Sequence, residues 1–339
     1  MAKRTIRTDV TETASPIQGS NKYQTGSSVF RPVTLDEYVG QTQAKRTIQI
    51  AVRSAKARSV PLGHILLYGP PGLGKTTLAY LCAKEMGAPI VYTVGSNLEK
   101  PCDIVSLLNS LQENSILFID EIHRTNRQAE ECLYSAMEDG FVSVTIGQAE
   151  QAKTIKLSLP PFTLIGATTR AGMVSAPLRD RFTIQCKMEY YSNDELSKIA
   201  QTSCQKLDIK LSQEQYMCIA SISRGTPRIA NRYLTLIRDY AFSENMGIVD
   251  NVVFENALTL AGVNKNGLTD MDMKLLSVLS GSDKPIGLST LSHILGEDPQ
   301  TVEEVYEPYL IMKQFIVKTA RGRQITPLGE QICTQEGNT

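Results

Sequence analysis

A short glycine-rich segment of the chain has residue types that suit phosphate binding. Residues Gly69 to Thr76 fit the pattern G-x-x-x-x-G-K-[S/T], and an apolar run at residues 64–68 precedes them. Glycines let backbone N–H groups curl around phosphate oxygens, the lysine can reach the terminal phosphates, and the threonine hydroxyl can bind Mg²⁺. The segment therefore predicts a site for ATP and Mg²⁺. Its predicted ligands are Gly72, Gly74, Lys75, Thr76 and Thr77.

Two adjacent carboxylates, Asp120 and Glu121, follow the apolar run Ile116–Ile119. Taken alone, such a pair is more often a solvated strand end than a site. Beside a phosphate loop it suits hydrolysis, because ligand chemistry gathers at the carboxyl ends of parallel strands. Asp120 can hold Mg²⁺ through water, and Glu121 can polarise the water that attacks the γ-phosphate. His123 shows no evident partner in the sequence, so we interpret it as a structural or supporting residue.

Hydrophobic periodicity predicts the elements that position these residues. Apolar runs alternate with helical segments, which favours a parallel sheet covered by helices. The apolar runs are residues 64–68, 90–94, 116–119 and 162–167, and the helical segments include residues 75–86 and 126–137. Between Phe141 and Leu159 the sequence alternates as strands do, which predicts an inserted β-hairpin.

The sequence as a whole predicts four regions. Residues 1–28 lack apolar periodicity and are predicted to be a disordered arm. Residues 29–192 form the predicted α/β domain, and residues 193–263 carry only helical signals, which indicates a small helical domain. Residues 264–339 read as three helices that finish in two short strands around residues 320–323, the order of a winged helix that binds DNA.

Bulk composition limits the class of protein. Hydrophobic residues make up 42% of the 339 residues, no apolar run approaches the ~18 residues that span a bilayer, and no secretory signal precedes residue 28. These features predict a cytoplasmic protein. The 7 cysteines are odd in number and never spaced as C-x-x-C, which favours reduced thiols over disulfides or a zinc site.

A formal charge of zero gives the chain no global attraction to nucleic acid, so DNA contact must come from local patches. The segment 311–329 is basic and contains no acidic residue. It follows the acidic region 297–307. A basic wing beside an acidic helix predicts contact with the phosphate backbone, although a solvated hairpin is the alternative. The predicted DNA-binding residues are Lys318, Arg321 and Arg323.

Six longer runs resemble the RuvB family, the AAA+ ATPases that drive branch migration of Holliday junctions. The first two runs occur in many AAA+ proteins, and the later ones together are specific. The runs are residues 69–79, 117–124, 159–172, 177–182, 224–232 and 303–310. The resemblance implies a P-loop AAA+ domain with an inserted hairpin, a small helical lid domain and a C-terminal winged helix.

The resemblance also implies roles for single residues. Thr168 matches the sensor 1 position and Arg228 matches sensor 2, through which the lid domain responds to the γ-phosphate. Arg181 matches an arginine finger that acts on ATP held by a neighbouring subunit, which implies a ring. Further residues match positions that line the nucleotide. They are Arg31, Glu138, Asp139, Gly140 and Tyr191.

The function implied by the resemblance is an ATP-hydrolysing motor that works in homologous recombination and DNA repair as a homo-hexamer on duplex DNA at four-way junctions. The implied partners are a RuvA-like junction-binding protein, contacted through hairpin 141–159, and a RuvC-like resolvase. The hairpin tip and the wing, residues 318–323, depart from the usual family pattern. The main alternative is a clamp-loader-like or initiator-like switch that does not translocate DNA; a scaffold without ATPase activity is disfavoured by the complete set of catalytic residue types.

Overall fold

The computed structural model describes residues 29–146 and 153–336. The chain divides into two units, Met1–Arg31 and Pro32–Thr339, and all the helices and strands given below belong to the second. The predicted disordered arm, residues 1–28, lies outside the described residues. Within the described part of the chain, no helix is both long and apolar enough to cross a bilayer.

A five-stranded parallel sheet forms the centre of the first domain, as the alternating apolar runs predicted. In spatial order its strands are β2 (Ile90–Val94), β3 (Ile116–Asp120), β6 (Thr163–Thr168), β1 (Ile65–Tyr68) and β7 (Ile184–Lys187). The inner strands are apolar and buried because helices cover both faces of the sheet. The helices of this domain are α1 (Thr42–Arg58), α2 (Lys75–Met86), α3 (Pro101–Asn109), α4 (Arg127–Asp139) and α5 (Ala176–Asp180).

The predicted hairpin is present as a separate antiparallel pair. Strands β4 (Phe141–Ile146) and β5 (Lys153–Ser158) pair from Phe141 opposite Ser158 to Ile146 opposite Lys153. The hairpin tip, residues 147–152, lies outside the described residues. The base of the hairpin continues directly from α4, which ends at the left-handed Gly140.

A helical domain follows the sheet, as predicted. It consists of α6 (Asn193–Leu207), α7 (Gln213–Ile222), α8 (Pro227–Glu244) and α9 (Asn251–Leu260). Two of these helices begin with a capping box, in which the side chains of the N-cap and third residues bond each other's backbone N–H groups. The cysteines are free thiols, of which Cys82, Cys186 and Cys204 are buried.

The C-terminal domain is a winged helix that carries a further helix after its two strands. Its elements are α10 (Asp270–Ser280), α11 (Leu288–Leu295), α12 (Pro299–Thr301), a π-helical turn (Val302–Tyr306), α13 (Glu307–Met312), β8 (Ile316–Thr319), β9 (Gly322–Ile325) and α14 (Pro327–Glu336). The prediction that the chain finishes with the two strands is wrong, because α14 follows them. Thr326 accepts a hydrogen bond from the Gly329 N–H and Pro327 is the first helical residue, a common way to start a helix.

A buried ion pair fastens the helical domain to the winged helix. The side chain of Asp272 on α10 is fully buried, and Arg224, before α8, donates to its Oδ2. The same oxygen accepts hydrogen bonds from the Thr269 N–H at 2.7 Å and the Thr269 hydroxyl at 2.6 Å. The Arg224 guanidinium also lies 4.7 Å from the centroid of the Tyr309 ring. These contacts tie the two domains together around one charge pair.

Replacing Asp272 with asparagine is expected to lower the free energy of unfolding of the C-terminal domain by about 3–5 kcal/mol, because it leaves the Arg224 charge buried without a counter-charge. Urea unfolding followed by circular dichroism and hydrogen exchange of α10 measures the change. Asp270→Asn, on the exposed side of the same helix, is the matched control. Equal unfolding midpoints for the two variants would show that the pair does not hold the domains together.

Candidate nucleotide-binding site

The phosphate loop joins β1 to α2 and is shaped by its glycines. Gly74 precedes the first residue of α2 with φ of 94°, and a Cβ there would lie 2.7 Å from the Tyr38 hydroxyl. Glycine is therefore needed both for the backbone conformation and for the space. Gly72 also has a positive φ, of 79°. The loop delivers the N-terminus of α2, whose backbone N–H groups attract anions.

Three adjacent strands bring the phosphate loop and three of the predicted catalytic residues, Asp120, Glu121 and Thr168, to one edge of the sheet. Strand β1 ends before the phosphate loop, β3 ends at Asp120, and β6 ends at Thr168. The Thr76 hydroxyl donates to Asp120 Oδ2 at 3.2 Å, so a hydroxyl and a carboxylate meet beside the loop. Hard oxygen donors of this kind suit Mg²⁺. The sequence-predicted Mg²⁺ ligands are thus next to each other.

Glu121 is held at the end of β3 in an unusual backbone conformation. Its φ of 47° and ψ of 49° are left-handed, which is uncommon for a residue other than glycine and often marks a functional position. Its Oε2 accepts from the Thr169 N–H at 3.3 Å and from the Thr169 hydroxyl at 3.1 Å. Thr168 does not bond Glu121 directly; its Oγ1 lies 2.9 Å from His123 Nδ1. Thr169 therefore donates two hydrogen bonds to Glu121, the candidate base. The sequence analysis did not predict this residue.

The side chain of Lys75 is buried against the phosphate loop. Its Nζ donates to the carbonyl oxygens of Gly69 at 2.7 Å and Pro70 at 2.8 Å. Burial lowers the pKa of Lys75 to about 8, although the nearby carboxylates of Glu121 and Asp120 favour its charged form. In the protein without nucleotide, the lysine is therefore mostly charged at neutral pH and loses its proton as the pH rises through this value.

The affinity for ATP is expected to fall above pH 8, by up to about tenfold per pH unit, because bound phosphate requires the Lys75 proton and the free protein has lost it. Because the pKa of Lys75 is lowered in the free protein, ATP binding above pH 8 is accompanied by the uptake of a proton. Titration of a fluorescent ATP analogue at several pH values measures the trend. Lys75→Arg, which keeps its charge throughout, is expected to give a flat profile at whatever affinity it has. A flat profile in the wild type would contradict the expectation.

The other face of the loop is lined by two tyrosines and an arginine. The hydroxyl of Tyr191 lies 3.1 Å from the Leu73 carbonyl and 3.2 Å from the hydroxyl of Tyr38, which itself lies 3.3 Å from that carbonyl. Arg228 stands at the start of α8, and its Cβ lies 3.1 Å from the position of a Cβ built on Gly72. The side chain of Arg228 therefore lies against the phosphate loop, and its role as sensor 2 stays a prediction. Thr77 lies half-buried in the first turn of α2.

The predicted arginine finger belongs to a second cluster. Arg181 donates to Glu138 Oε2 at 2.7 Å and to the Pro177 carbonyl at 2.7 Å. Its guanidinium lies 4.6 Å from the centroid of the Tyr134 ring. Among the described residues, no hydrogen bond or ion pair joins Arg181 or Glu138 to the phosphate loop of the same chain.

Asp139 and Gly140 continue from Glu138 and are exposed. Arg31 lies in the first unit, so its contact with nucleotide stays a prediction.

Family models match the chain almost from end to end. The Holliday junction DNA helicase RuvB P-loop domain matches residues 30–188, the RuvB AAA lid domain residues 191–264, and the RuvB C-terminal winged helix domain residues 265–333. The chain belongs to the RuvB family. The predicted AAA+ fold with a lid and a winged helix is confirmed, whereas the exact domain boundaries stay predictions.

Individual RuvB proteins are similar over most of their length. A Holliday junction branch migration complex subunit RuvB from Fusobacterium nucleatum is 50% identical over 299 residues, which are 88% of this chain and 90% of that protein. The subunit of the same name from Campylobacter hominis is 48% identical and covers 88% of both. The solved structure of the Thermotoga maritima RuvB branch migration motor is 38% identical, with a TM-score of 0.80, covering 90% of this chain and 98% of that one.

The RuvB winged helix of this chain has its basic residues in different settings. Glu307 is fully buried and pairs with Arg323 Nε at 2.6 Å and with Lys318 Nζ at 2.8 Å. Lys318 also pairs with Glu303 at 3.0 Å. Arg321, at the wing tip, is exposed and makes no ion pair among the described residues. Of the three predicted DNA-binding residues, Arg321 therefore has its charge free for phosphate.

Proposed function

We propose that this chain is the ATP-driven motor that moves Holliday junctions by branch migration. The observation that carries the proposal is the combination, in one chain, of the hydrolytic site at three adjacent strand ends with the lid and winged-helix domains of the RuvB family. The relatives named above are subunits of a branch migration complex. A clamp-loader-like switch would share the nucleotide site but has no reason to carry this winged helix.

In the proposed hydrolysis, the N-terminus of α2 and Lys75 bind the ATP phosphates, and Glu121 accepts the proton of the attacking water. Thr76 and Asp120 would hold Mg²⁺, whose charge neutralises the phosphates when it is bound. Arg228 lies on the first turn of a lid helix, so a movement of the lid changes its distance to the phosphate loop. Arg228 thereby couples hydrolysis at the phosphate loop to the position of the helical and winged-helix domains.

The proposed assembly is a homo-hexameric ring in which Arg181 serves the ATP of a neighbour. Among the described residues, Arg181 makes no hydrogen bond or ion pair with the phosphate loop of its own chain, which supports a role in trans. The exposed position of Glu138, Asp139 and Gly140 beside it supports the same role. Hairpin 141–159 continues from this segment and is the proposed contact for a RuvA-like partner. A RuvC-like resolvase would join the same complex.

The proposed DNA contact is to the duplex backbone, without readout of the bases. Arg321→Ala is expected to weaken duplex binding and to reduce the slope of log affinity against log salt by about 1, because one phosphate contact and its counterion release are lost. Fluorescence anisotropy at several salt concentrations measures both quantities. Arg58→Ala, at the exposed end of α1, is the control. An unchanged slope would remove Arg321 from the DNA interface.

The function is tested by ATP-driven movement of a synthetic four-way junction, with and without a RuvA protein. The wild type is expected to separate the junction into its duplex products, and Glu121→Gln is expected to bind the junction without moving it. ATP hydrolysis by the wild type without junction movement, under every partner condition, would reject the motor and favour a loader-like switch.

A further inference from the structure

One side of α4 holds the short helix α5 at both of its ends. Glu130, Tyr134 and Glu138 are spaced four residues apart, so their side chains lie along one side of α4. Ser175 is the N-cap residue of α5, and Arg181 is its C-cap residue. The three residues on α4 contact both of these caps. Since Arg181 is the predicted arginine finger, the contacts around it bear on hydrolysis.

Glu130 anchors the start of α5. It is buried, and its Oε1 accepts a hydrogen bond from the Tyr134 hydroxyl at 2.5 Å and another from the Ser175 hydroxyl. Ser175 Oγ in turn accepts the Leu178 N–H at 3.3 Å, which caps α5. Burial and the hydrogen bond to Glu130 raise the pKa of the Tyr134 hydroxyl, so it stays protonated and donates at neutral pH. A buried carboxylate needs such donors, and these bonds therefore fix Tyr134 and Ser175 relative to α4.

The ring of Tyr134 supports the side chain of Arg181 at the other end of α5. The centre of the guanidinium lies 4.6 Å from the centroid of the ring, which is a cation–π distance. The terminal nitrogens of Arg181 donate to the Pro177 carbonyl and to Glu138, whereas its buried Nε makes no hydrogen bond among the described residues. The ring therefore limits the directions in which the guanidinium can point.

We propose that Tyr134 is a positioning residue for the arginine finger. Its ring holds the Arg181 guanidinium in the orientation that serves the ATP of a neighbouring subunit, and its hydroxyl, bonded to Glu130, fixes the ring. This inference rests on the proposed function, because it requires Arg181 to act in trans. The alternative is a tyrosine that only packs α4 against α5, in which case its loss would affect the site of its own subunit.

Two substitutions separate the ring of Tyr134 from its hydroxyl. Tyr134→Leu is expected to lower kcat by about 10- to 100-fold, because a misplaced guanidinium loses its alignment with the transition state, with ATP affinity changed by less than about twofold. Tyr134→Phe keeps the ring and is expected to hydrolyse ATP within about fivefold of the wild-type rate. A phenylalanine variant as slow as the leucine variant, or a loss confined to ATP affinity, would overturn the proposal.

Mixed rings show on which subunit the loss falls. Tyr134→Leu keeps its own Glu121, so mixing it with Glu121→Gln subunits is expected to restore hydrolysis at about one site in four. Mixing it with Arg181→Ala subunits is expected to restore none, because no subunit then presents an intact finger. The reverse pattern, with recovery only beside Arg181→Ala, would place the defect in the subunit that lacks the tyrosine and would overturn the proposal.

The mixture of Arg181→Ala with Glu121→Gln distinguishes this inference from the proposed function. If that mixture recovers no activity, the finger does not act in trans, and both the ring mechanism and the role of Tyr134 are wrong. If it recovers activity and the mixture of Tyr134→Leu with Glu121→Gln does not, only the role of Tyr134 is wrong.

Hydrogen exchange of the protein without nucleotide tests the anchor itself. Glu130→Ala removes the acceptor of both hydroxyls and is expected to speed exchange of the α5 amides by about tenfold, because the N-cap of α5 loses its hold on α4. Glu131→Ala, at the next and exposed position, is the matched control and is expected to leave this exchange unchanged. Unchanged exchange of α5 in Glu130→Ala would overturn the anchor and the positioning role that depends on it.

Discussion

Glu121→Gln is expected to reduce the rate of ATP hydrolysis by about 10²- to 10⁴-fold while ATP still binds, because the amide keeps the shape of the carboxylate and cannot accept the proton of the attacking water. Thr169 can still donate to the amide oxygen in the place where it now donates to Oε2. Binding of a fluorescent ATP analogue and steady-state phosphate release measure the two effects separately. The variant should therefore accumulate with ATP bound.

The matched control for this substitution is Glu113→Gln, which neutralises an exposed glutamate shortly before the same strand. It is expected to hydrolyse ATP at the wild-type rate. If Glu121→Gln kept hydrolysis within about tenfold of the wild type, the base would lie elsewhere and general-base catalysis by Glu121 would be excluded. A loss of nucleotide binding in Glu121→Gln would instead point to damage of the phosphate loop.

The parts of the fold that repeat a local pattern were predictable from sequence. The apolar run at residues 116–119 became the buried strand β3, and the glycine-rich loop joined a strand to a helix as its pattern requires. Parallel pairing then placed Asp120 beside Thr76, since neighbouring strands end at one edge. These features of the fold depend on residues close in sequence, or on the parallel sheet that the alternation of apolar runs and helical segments indicates.

Contacts between distant residues were not predictable in this way. Nothing in the sequence connects Tyr38 with the phosphate loop, yet its hydroxyl lies 3.3 Å from the carbonyl oxygen of Leu73 in that loop. Which of Thr168 and Thr169 bonds Glu121 depends on the direction of each side chain at the end of β6. Two adjacent threonines in a sequence do not reveal that direction. Arg323 was predicted to bind DNA, but the buried carboxylate of Glu307, 16 positions away, pairs with it. Pairing over such distances follows from tertiary packing.

The acidic segment beside the wing also makes a contact with the ATPase domain. Glu304, in the π-helical turn, forms an ion pair with Arg170, which lies just after strand β6. Both side chains are 41% exposed, so the pair contributes at most about 1 kcal/mol and can open readily. The buried pair of Arg224 and Asp272 is the stronger link, and it joins the winged helix to the lid domain.

Arg181→Ala is expected to lower the rate of ATP hydrolysis by about 10³- to 10⁵-fold with little change in ATP affinity, because an arginine finger acts on transition-state charge. Arg181→Lys should recover only part of the rate, since lysine lacks the planar fork that pairs with Glu138 and phosphate. The rate of phosphate release per subunit, measured with DNA present, gives the hydrolysis rates of the two variants. A lysine variant equal to the wild type would mean that charge alone is sufficient.

Mixed rings decide whether the finger acts on a neighbour. A subunit with Arg181→Ala keeps its own Glu121, and a subunit with Glu121→Gln keeps its own Arg181, so only a finger acting in trans lets one complement the other. In equal, random mixtures about one site in four combines an intact base with an intact neighbouring finger. Co-purified mixtures are therefore expected to hydrolyse ATP well above the sum of the two variants alone. Activity equal to that sum would place the finger in the same chain as the ATP it serves, and the proposed ring mechanism would be wrong.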